Sequence, residues 1–262
     1  MKTVAGKIAF MVMVGLLGSG WLTMVPVLAQ QALPLRVGVT PDYPPLIYRQ
    51  GETIVGVEVD LARRLGLELK RPVNLVVFQW EELIPALLEN KIDIIMSGMS
   101  ITPAREVRIR FVEPYLKSGL VAAFRAEDIP KYTSREAILN GFAVVAAVKG
   151  TTGDVFLQRN FVRGTRKVVL PKAADAPDEL KRRAIDIFLH DAPYILWMVS
   201  ANEATLSALW EPFDRESLAW GVRKGEDAFY DQVNRALNQW KADGSLDTLL
   251  ARWLPDKYLK FF

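Results

Sequence analysis

The stretch that ends at Arg105 contains the clearest chemistry in the sequence, a candidate site for a carboxylate. Residues 94–96 are apolar and stop at the Ser-Gly pair 97–98, which predicts a short buried strand followed by a turn. Thr102 and Pro103 then form a helix start signal, and Arg105 lies in the first turn. Backbone N–H groups at a helix start and a guanidinium both bind carboxylates. The alternative is an ordinary strand, turn and helix with a solvated arginine.

A second candidate anion site follows the apolar run 144–148. The next residues are Lys149, Gly150, Thr151, Thr152 and Gly153, and a helix is expected to begin near Asp154. Glycine and threonine at this place would present backbone N–H groups and hydroxyls to an anion. Gly-Thr turns are common, however, and Lys149 could simply be solvated.

His190 and Asp191 follow a third run, residues 184–188, whose Ile-Asp-Ile pattern repeats that of residues 91–95. Ligands of open α/β sheets bind beyond the carboxyl ends of the strands, so the two polar strand ends would face each other across a cleft. On its own, His190 is more often structural, and Asp191 could be the N-cap of the helix that contains Pro193. Their adjacency at a strand end favours a binding role.

Strand-like and helix-like runs alternate along the chain, a pattern typical of α/β proteins with mainly parallel sheets. Residues 35–39 predict the first strand, and residues 73–78 predict a strand that is followed by Trp80 and a helix. Three prolines within residues 40–45 predict an irregular loop, which would hold Tyr43 on a stiff support.

The composition excludes several classes of function. The 262 residues include 33 Lys and Arg, 30 Asp and Glu, one His and no Cys, which excludes disulfides and His/Cys metal sites. The sequence has no phosphate-binding loop, GxSxG or HExxH motif, and we expect no catalytic residue, metal or cofactor. The near-neutral charge argues against a nucleic-acid partner.

Residues 1–29 predict a cleaved secretory signal. Lys2 and Lys7 accompany an apolar run over residues 8–25, and Val27 and Ala29 are small enough for signal peptidase. Cleavage after Ala29 would leave a periplasmic protein. An uncleaved membrane anchor is the alternative, because the apolar run is long.

Three motifs, in order, resemble the extracellular solute-binding proteins of family 3, the amino-acid receptors of ABC importers. They are GVEVDL from Gly56, IPALLENKID from Ile84 and SGMSITPAREVRIRFVEPY from Ser97, and the resemblance extends over most of the chain. It implies an α/β, two-lobed periplasmic binding protein fold of type II, with a mainly parallel sheet flanked by helices in each lobe. Lobe 1 would comprise residues 30–115 and 220–262, lobe 2 would comprise residues 116–219, and two hinge strands near residues 115–119 and 216–220 would join them.

The resemblance also implies how the backbone groups of an amino acid are held. Arg105 would hold the α-carboxylate, together with backbone groups of Ser100 and Gly153. The α-amino group would be held by Asp191, by the Gly98 carbonyl and by the Ser100 hydroxyl. This assignment is physically sensible, because a zwitterion buried in a closed cleft needs each charge paired and hydrogen-bonded.

For the ligand side chain, the resemblance implies an enclosure by two aromatic rings. Tyr43 and Trp80 match the rings that would cover its methylene groups and exclude water. Lys149 and His190 match positions that reach the end of the side chain, and Thr152 lies in the adjoining Gly-Thr loop.

The implied function is that of a periplasmic solute-binding protein, expected to be a monomer, which captures a polar amino acid and delivers it to the permease of an ABC transporter. The alternatives are an enzyme on the same scaffold, such as a cyclohexadienyl dehydratase, and a ligand-sensing domain.

The sequence departs from the family at Thr40, where the glutamine and basic amino-acid receptors carry an acid. With Lys149 at the side-chain end, cationic amino acids would bind poorly because of like-charge repulsion, and glutamine- or glutamate-like ligands would be favoured. This preference requires that Lys149 face the cleft and that Asp42 and Glu81 stay out of it.

Overall fold

Two five-stranded sheets and one three-stranded sheet form the framework of the protein in a computed structural model, which describes residues 32–161 and 165–262. The predicted signal segment and its cleavage site at Ala29 lie outside these residues. The strands are β1 (Leu35–Val39), β2 (Asp42–Tyr43), β3 (Ile47–Gln50), β4 (Thr53–Val55), β5 (Val73–Val77), β6 (Ile94–Ile95), β7 (Arg110–Phe111), β8 (Leu116–Arg125), β9 (Val144–Val148), β10 (Arg166–Leu170), β11 (Ile187–Asp191), β12 (Leu206–Leu218) and β13 (Gly221–Val222). The helices are α1 (Val57–Glu68), α2 (Leu83–Leu88), α3 (Pro103–Glu106), α4 (Arg135–Leu139), α5 (Thr152–Asn160), α6 (Ala176–Lys181), α7 (Ala192–Ser200), α8 (Asp227–Ala242), α9 (Ser245–Ala251) and α10 (Asp256–Phe261).

The first large sheet has the strand order β5-β1-β6-β13-β7, with β1 parallel to both β5 and β6. The predicted strand over residues 35–39 is confirmed, and the strand predicted over residues 73–78 ends one residue earlier. Ile94 and Ile95 are completely buried because helices cover both faces of this sheet, as is usual for parallel strands. Strand β6 ends at Ile95, and the chain bends at Ser97, where the sequence predicted a turn.

The second large sheet has the order β10-β9-β11-β8-β12, in which β8 and β12 are antiparallel. These two strands are long and pair from Leu116 with Leu218 up to Arg125 with Leu206. Ser100 forms a bridge to Leu218, and β13 continues directly into the first sheet. The two segments expected as hinges, 115–119 and 216–220, consequently lie side by side, where β8 and β12 of the second sheet connect to the first sheet.

The repeated Ile-Asp pattern has a structural explanation. Asp93 Oδ2 accepts the N–H of Arg36 in β1 at 3.0 Å, and Asp186 Oδ2 accepts the N–H of Val144 in β9 at 2.9 Å. Asp93 also pairs with the Arg36 guanidinium at 2.5 Å, and Asp186 pairs with Arg125 at 2.7 Å. Each acid fixes the start of the neighbouring parallel strand, so the shared pattern reflects the framework and not the ligand.

Helix α8 buries the apolar face predicted for the C-terminal region, including Leu237 and Trp240. Gly244 ends the helix in the left-handed region, with φ of 73°, which glycine adopts without strain. Among the described residues, none of the helices combines the length and the hydropathy that a membrane span requires.

Candidate ligand-binding site

A cavity lies where the ends of β6, β9 and β11 approach the loop after β1. Its lining residues are Asp42, Tyr43, Trp80, Gly98, Ser100, Arg105, Val148, Thr151, Thr152, Ala173, His190 and Asp191. All the residues that the sequence analysis assigned to a ligand are among them, except Lys149 and Gly153. The polar ends of the strands are therefore brought together as the topology predicted.

The turn after β6 is built around Gly98, whose φ is +66°. A Cβ at this position would lie 2.8 Å from the Tyr43 ring, so only glycine fits both the conformation and the space. The Gly98 N–H donates to Glu58 Oε1 at 2.6 Å, and Ser97 Oγ accepts the Thr40 N–H at 2.9 Å. These bonds orient the turn and leave the Gly98 carbonyl available.

Arg105 lies in α3, a helix of four residues that begins with the predicted cap, Thr102 Oγ1 accepting the Arg105 N–H at 3.3 Å. Its guanidinium donates to the Ser100 carbonyl at 2.7 Å and lies over the Trp80 ring, 5.2 Å from the centroid. Burial lowers the pKa of Arg105, although the charge of Asp191 acts in the opposite direction. No carboxylate in the described part of the chain forms an ion pair with this guanidinium, which leaves donors free for an anionic ligand.

Asp191 closes the opposite wall of the cavity at the end of β11. It occupies the N-cap position of α7, but its side chain makes no capping bond; instead, Oδ2 accepts the Tyr43 hydroxyl at 2.7 Å. Burial raises the pKa of the Asp191 carboxyl. The Asp191 side chain therefore does not cap α7, and its carboxyl lines the cavity.

His190 is a neutral hydrogen-bond donor in this arrangement. Its Nδ1 accepts the Asp191 N–H at 2.8 Å, so the proton of the neutral ring is carried by Nε2. Burial lowers the pKa of His190 to about 3. The ring packs against Tyr194 and Tyr43, with centroids 4.8 and 5.2 Å away, which fixes its direction.

Ser100 connects the cavity to Glu216, an acid that the sequence analysis placed only in a hinge segment. The Ser100 hydroxyl donates to Glu216 Oε2 at 2.8 Å. Burial, and then the charge of Asp191, raise the pKa of Glu216 to about 8. The sequence gives no signal that Glu216 is buried at the cavity, because its hydrogen-bond partner Ser100 is remote in the chain.

The Gly-Thr loop covers the cavity from the side of β9. Helix α5 begins at Thr152, two residues before the predicted start, with Thr151 as its N-cap. Thr151 and Thr152 line the cavity, whereas Gly153 packs behind it, where a Cβ would lie 3.0 Å from the Leu189 carbonyl. Trp80 Nε1 donates to the Gly150 carbonyl at 3.1 Å, which joins this loop to the opposite wall.

Lys149 does not reach the cavity. Its side chain is 68% exposed, and its Nζ lies 3.3 Å from Glu81 Oε1 at the rim. The expectation that Lys149 contacts the end of the ligand side chain is therefore wrong for this structure: the backbone before Gly150 directs the chain outward, and Glu81 pairs with the ammonium.

Asp42 lines the cavity instead. Burial raises the pKa of Asp42 to about 6. Thr40, at the position where the family carries an acid, donates its hydroxyl to the Phe78 carbonyl at 3.0 Å and does not line the cavity. The carboxyl that the sequence analysis found missing at residue 40 is thus supplied two residues later.

Comparison with known proteins agrees with this architecture. Residues 35–256 match the family described as bacterial extracellular solute-binding proteins, family 3. The L-cystine-binding protein TcyJ of Escherichia coli strain K12 is 27% identical over 221 residues, which cover 84% of this chain and 82% of that protein. The cyclohexadienyl dehydratase of Pseudomonas aeruginosa is 27% identical over 223 residues, with coverage of 84% and 82%. The crystal structure of AncCDT-1, an ancestral amino acid-binding protein and precursor of cyclohexadienyl dehydratase, is 32% identical with a TM-score of 0.77, covering 84% of this chain and 95% of that chain.

Proposed function

We propose, from the premise that the chain belongs to the bacterial extracellular solute-binding proteins of family 3, that it captures a free amino acid in the periplasm and delivers it to the permease of an ABC importer. Its fold is that of the type II periplasmic binding proteins. The observation that carries the proposal is the presence of two opposite charges on facing walls of one cavity. Among the described residues, neither Arg105 nor Asp191 has an oppositely charged partner within ion-pair distance. A zwitterionic amino acid supplies a carboxylate for one and an ammonium for the other.

The lining residues suggest how such a ligand is held. Its α-carboxylate would accept hydrogen bonds from Arg105 and from the start of α5, and its α-ammonium would donate to Asp191 and the Gly98 carbonyl. Trp80 would cover the side chain from the rim. His190 Nε2 would donate to a side-chain or carboxylate oxygen.

On ligand capture, the two lobes would close about the hinge segments 115–119 and 216–220. In this proposal, lobe 1 comprises residues 30–115 and 220–262 and lobe 2 comprises residues 116–219. Contacts across the cavity, such as Tyr43 with Asp191 and Trp80 with Gly150, would form on closure. Closure excludes water from the ligand and gives the permease a distinct conformation to recognise.

Two neighbouring buried acids, Glu216 and Asp191, favour a second candidate function, an enzyme on the same scaffold. Glu216 carries a proton near pH 7 and lies beside the cavity, so it could act as a general acid towards a leaving hydroxyl. Its Ser100 contact places it behind the cavity wall, however, and we therefore rank binding first. Incubation with prephenate or arogenate, followed by ultraviolet detection of an aromatic product, distinguishes the two candidates.

The expected preference for glutamine- or glutamate-like ligands loses its physical basis. It required Lys149 to face the cavity and Asp42 to lie outside it. In the structure, Asp42 lines the cavity and Lys149 does not. We therefore propose an amino acid as the ligand without assigning an amide or carboxylate side chain to it.

The proposed function predicts thermal stabilisation by at least one of the twenty common amino acids. A ligand that binds only the native state at about 100 times its Kd adds about 2.7 kcal/mol to the free energy of unfolding. For a protein of this size, that corresponds to a rise in Tm of about 5–10 °C. Differential scanning fluorimetry measures the shift, and the Arg105→Ala variant should not show it. If no amino acid shifts Tm and calorimetry detects no binding, the proposal is wrong.

The proposed periplasmic location predicts a mature protein that begins at Gln30. Signal peptidase requires small residues such as Ala29 immediately before the bond that it cleaves. Intact-mass spectrometry of protein from a periplasmic extract measures the N-terminus. Recovery of membrane-bound protein that still begins at Met1 would contradict the cleavage.

A further inference from the structure

The cavity has more acidic than basic groups on its walls. Arg105 is the one positively charged residue among those that line it, because His190 is neutral and Lys149 pairs with Glu81 at the rim. Two of the lining residues, Asp42 and Asp191, are acids. A ligand that neutralises the net charge of the cavity walls therefore carries one more positive than negative charge.

When an amino-acid zwitterion is paired with Arg105 and Asp191, Asp42 remains as an acid without a charge partner. The α-carboxylate of the ligand takes Arg105, and the α-ammonium takes Asp191. Glu216 lies beside Asp191, and burial together with the charge of Asp191 raises the pKa of Glu216. We therefore count the Asp191–Glu216 pair as one negative charge near pH 7. Asp42, with a pKa of about 6, is mostly ionised at pH 7 and faces the cavity without a partner for its charge.

Within residues 32–161 and 165–262, the Asp42 carboxylate forms no ion pair. The charge of the exposed residue Lys172 lowers the pKa of Asp42 without lying within ion-pair distance of it. Asp42 belongs to β2, which pairs with β3 through Asp42 and Tyr48, so the backbone that carries the carboxyl is fixed. The position is therefore a built one, and a buried charge of this kind is stabilised by a partner of opposite sign.

Asp42 shares its part of the cavity wall with a neighbouring segment. It lines the cavity together with Ala173, and β2 packs against the short 3-10 helix Ala173–Asp175. A ligand anchored between Arg105 and Asp191 would have Asp42 available to its side chain, because all three residues line the same cavity.

We propose that Asp42 is a specificity-determining residue that binds the cationic end of the ligand side chain, and that the ligand class is therefore the basic amino acids, those with a guanidinium or ammonium group at the end of the side chain. This inference rests on the proposed function, because it assumes that the cavity holds an amino acid.

Two pairs of ligands test the inference by changing charge at nearly constant shape. L-Citrulline has the shape of L-arginine with a neutral ureido group, and L-norleucine matches the carbon chain of L-lysine without its ammonium group. Isothermal titration calorimetry on the wild-type protein at pH 7.5 should show at least about tenfold tighter binding for the cationic member of at least one pair. The Asp42→Asn substitution should reduce that preference to about threefold or less, with the loss confined to the cationic ligand.

Asp175→Asn is the matched control. Asp175 lies in the 3-10 helix beside Ala173 and does not line the cavity, so its removal changes the nearby charge without changing the walls. The preference for the cationic ligand should survive in this variant. An equal loss in the two variants would overturn a direct role of Asp42 in favour of a general field effect. Asp42→Ser serves as a second substitution if Asp42→Asn lowers Tm by more than about 5 °C.

The outcomes separate this inference from the proposed function. Binding of neutral amino acids as tightly as arginine and lysine would overturn the role of Asp42 and leave amino-acid capture intact. Absence of binding for every amino acid would overturn both.

Discussion

Replacement of Arg105 by alanine should weaken amino-acid binding by about 30-fold to several thousand-fold. The guanidinium would be one half of a buried charge pair with the ligand α-carboxylate, and truncation of one partner of such a pair costs about 2–5 kcal/mol. Much of that cost arises because the remaining charge stays buried without a partner. Isothermal titration calorimetry, with the amino acid that gives the largest thermal shift, measures the loss.

Arg105 is suited to this role because the protein holds it in place without consuming its charge. One guanidinium nitrogen is bonded to the Ser100 carbonyl, and the Trp80 ring covers one face. Removal of the side chain therefore takes away ligand contacts and no internal ion pair. We expect the Tm of the ligand-free Arg105→Ala variant to fall by no more than about 6 °C, since the change breaks no ion pair and removes the hydrogen bond to the Ser100 carbonyl, which is worth about 0.5–1.5 kcal/mol.

Asp191→Asn provides the complementary test on the ammonium side and should be similarly severe. Arg108→Ala is the control for both, because Arg108 follows α3 closely in sequence, is exposed and does not line the ligand cavity. Near-normal affinity in either Arg105→Ala or Asp191→Asn would mean that the zwitterion has been placed wrongly.

Replacement of Glu58 by alanine should lower the thermal stability of the ligand-free protein strongly. Glu58 is almost completely buried, and its carboxylate accepts three hydrogen bonds: from the Gly98 N–H at 2.6 Å, the Tyr115 hydroxyl at 2.8 Å and Trp220 Nε1 at 2.9 Å. Burial raises the pKa of Glu58 to about 7, and the three donors act against this rise. Truncation would leave three buried donors without an acceptor.

Each unpaired buried donor costs about 1–3 kcal/mol, so the variant should lose at least about 3 kcal/mol of the free energy of unfolding. At about 2–4 °C per kcal/mol for a protein of this size, Tm should fall by at least about 6 °C. Differential scanning calorimetry at pH 8, where Glu58 is largely ionised, measures the change. Glu52→Ala, a substitution of an exposed residue in the turn between β3 and β4, should shift Tm by less than about 2 °C.

Glu58 also joins the turn at Gly98 to the two predicted hinge segments, since its carboxylate accepts from Gly98, from Tyr115 just before β8 and from Trp220 just after β12. A Tm change of less than about 2 °C in Glu58→Ala would show that the three donors find other acceptors, and that this network does not hold the region together.

Much of the framework could be predicted from local sequence patterns. The strands near residues 35–39 and 73–77, the helix start at Thr102 and Pro103, and the end of the C-terminal helix at Gly244 all follow rules that involve only a few neighbouring residues. The placement of Arg105 and Asp191 at one cavity followed from a topological rule, because each lies at or beyond the carboxyl end of a strand in its own sheet, and ligands of open α/β sheets bind at these ends.

The direction of individual side chains could not be predicted in this way. Lys149 and Asp42 each follow a strand closely in sequence, and the sequence analysis assigned Lys149 to the cavity and Asp42 to its outside. Glu81 draws the Lys149 ammonium to the rim, and the pairing of β2 with β3 turns the Asp42 carboxyl inward. Both effects depend on residues that are distant in the chain or on a backbone pairing that has no sequence signature.

The amino-acid sequence by itself determined the elements of this protein, their order, and which strand ends carry polar groups, because hydrophobic periodicity and capping act over a few residues. The tertiary structure alone decided that Glu216 stands behind Ser100, that Lys149 leaves the cavity and that Asp42 enters it. The reason is physical: the charge of a binding site is a sum over side chains from several segments, and each contributes only if packing turns it inward.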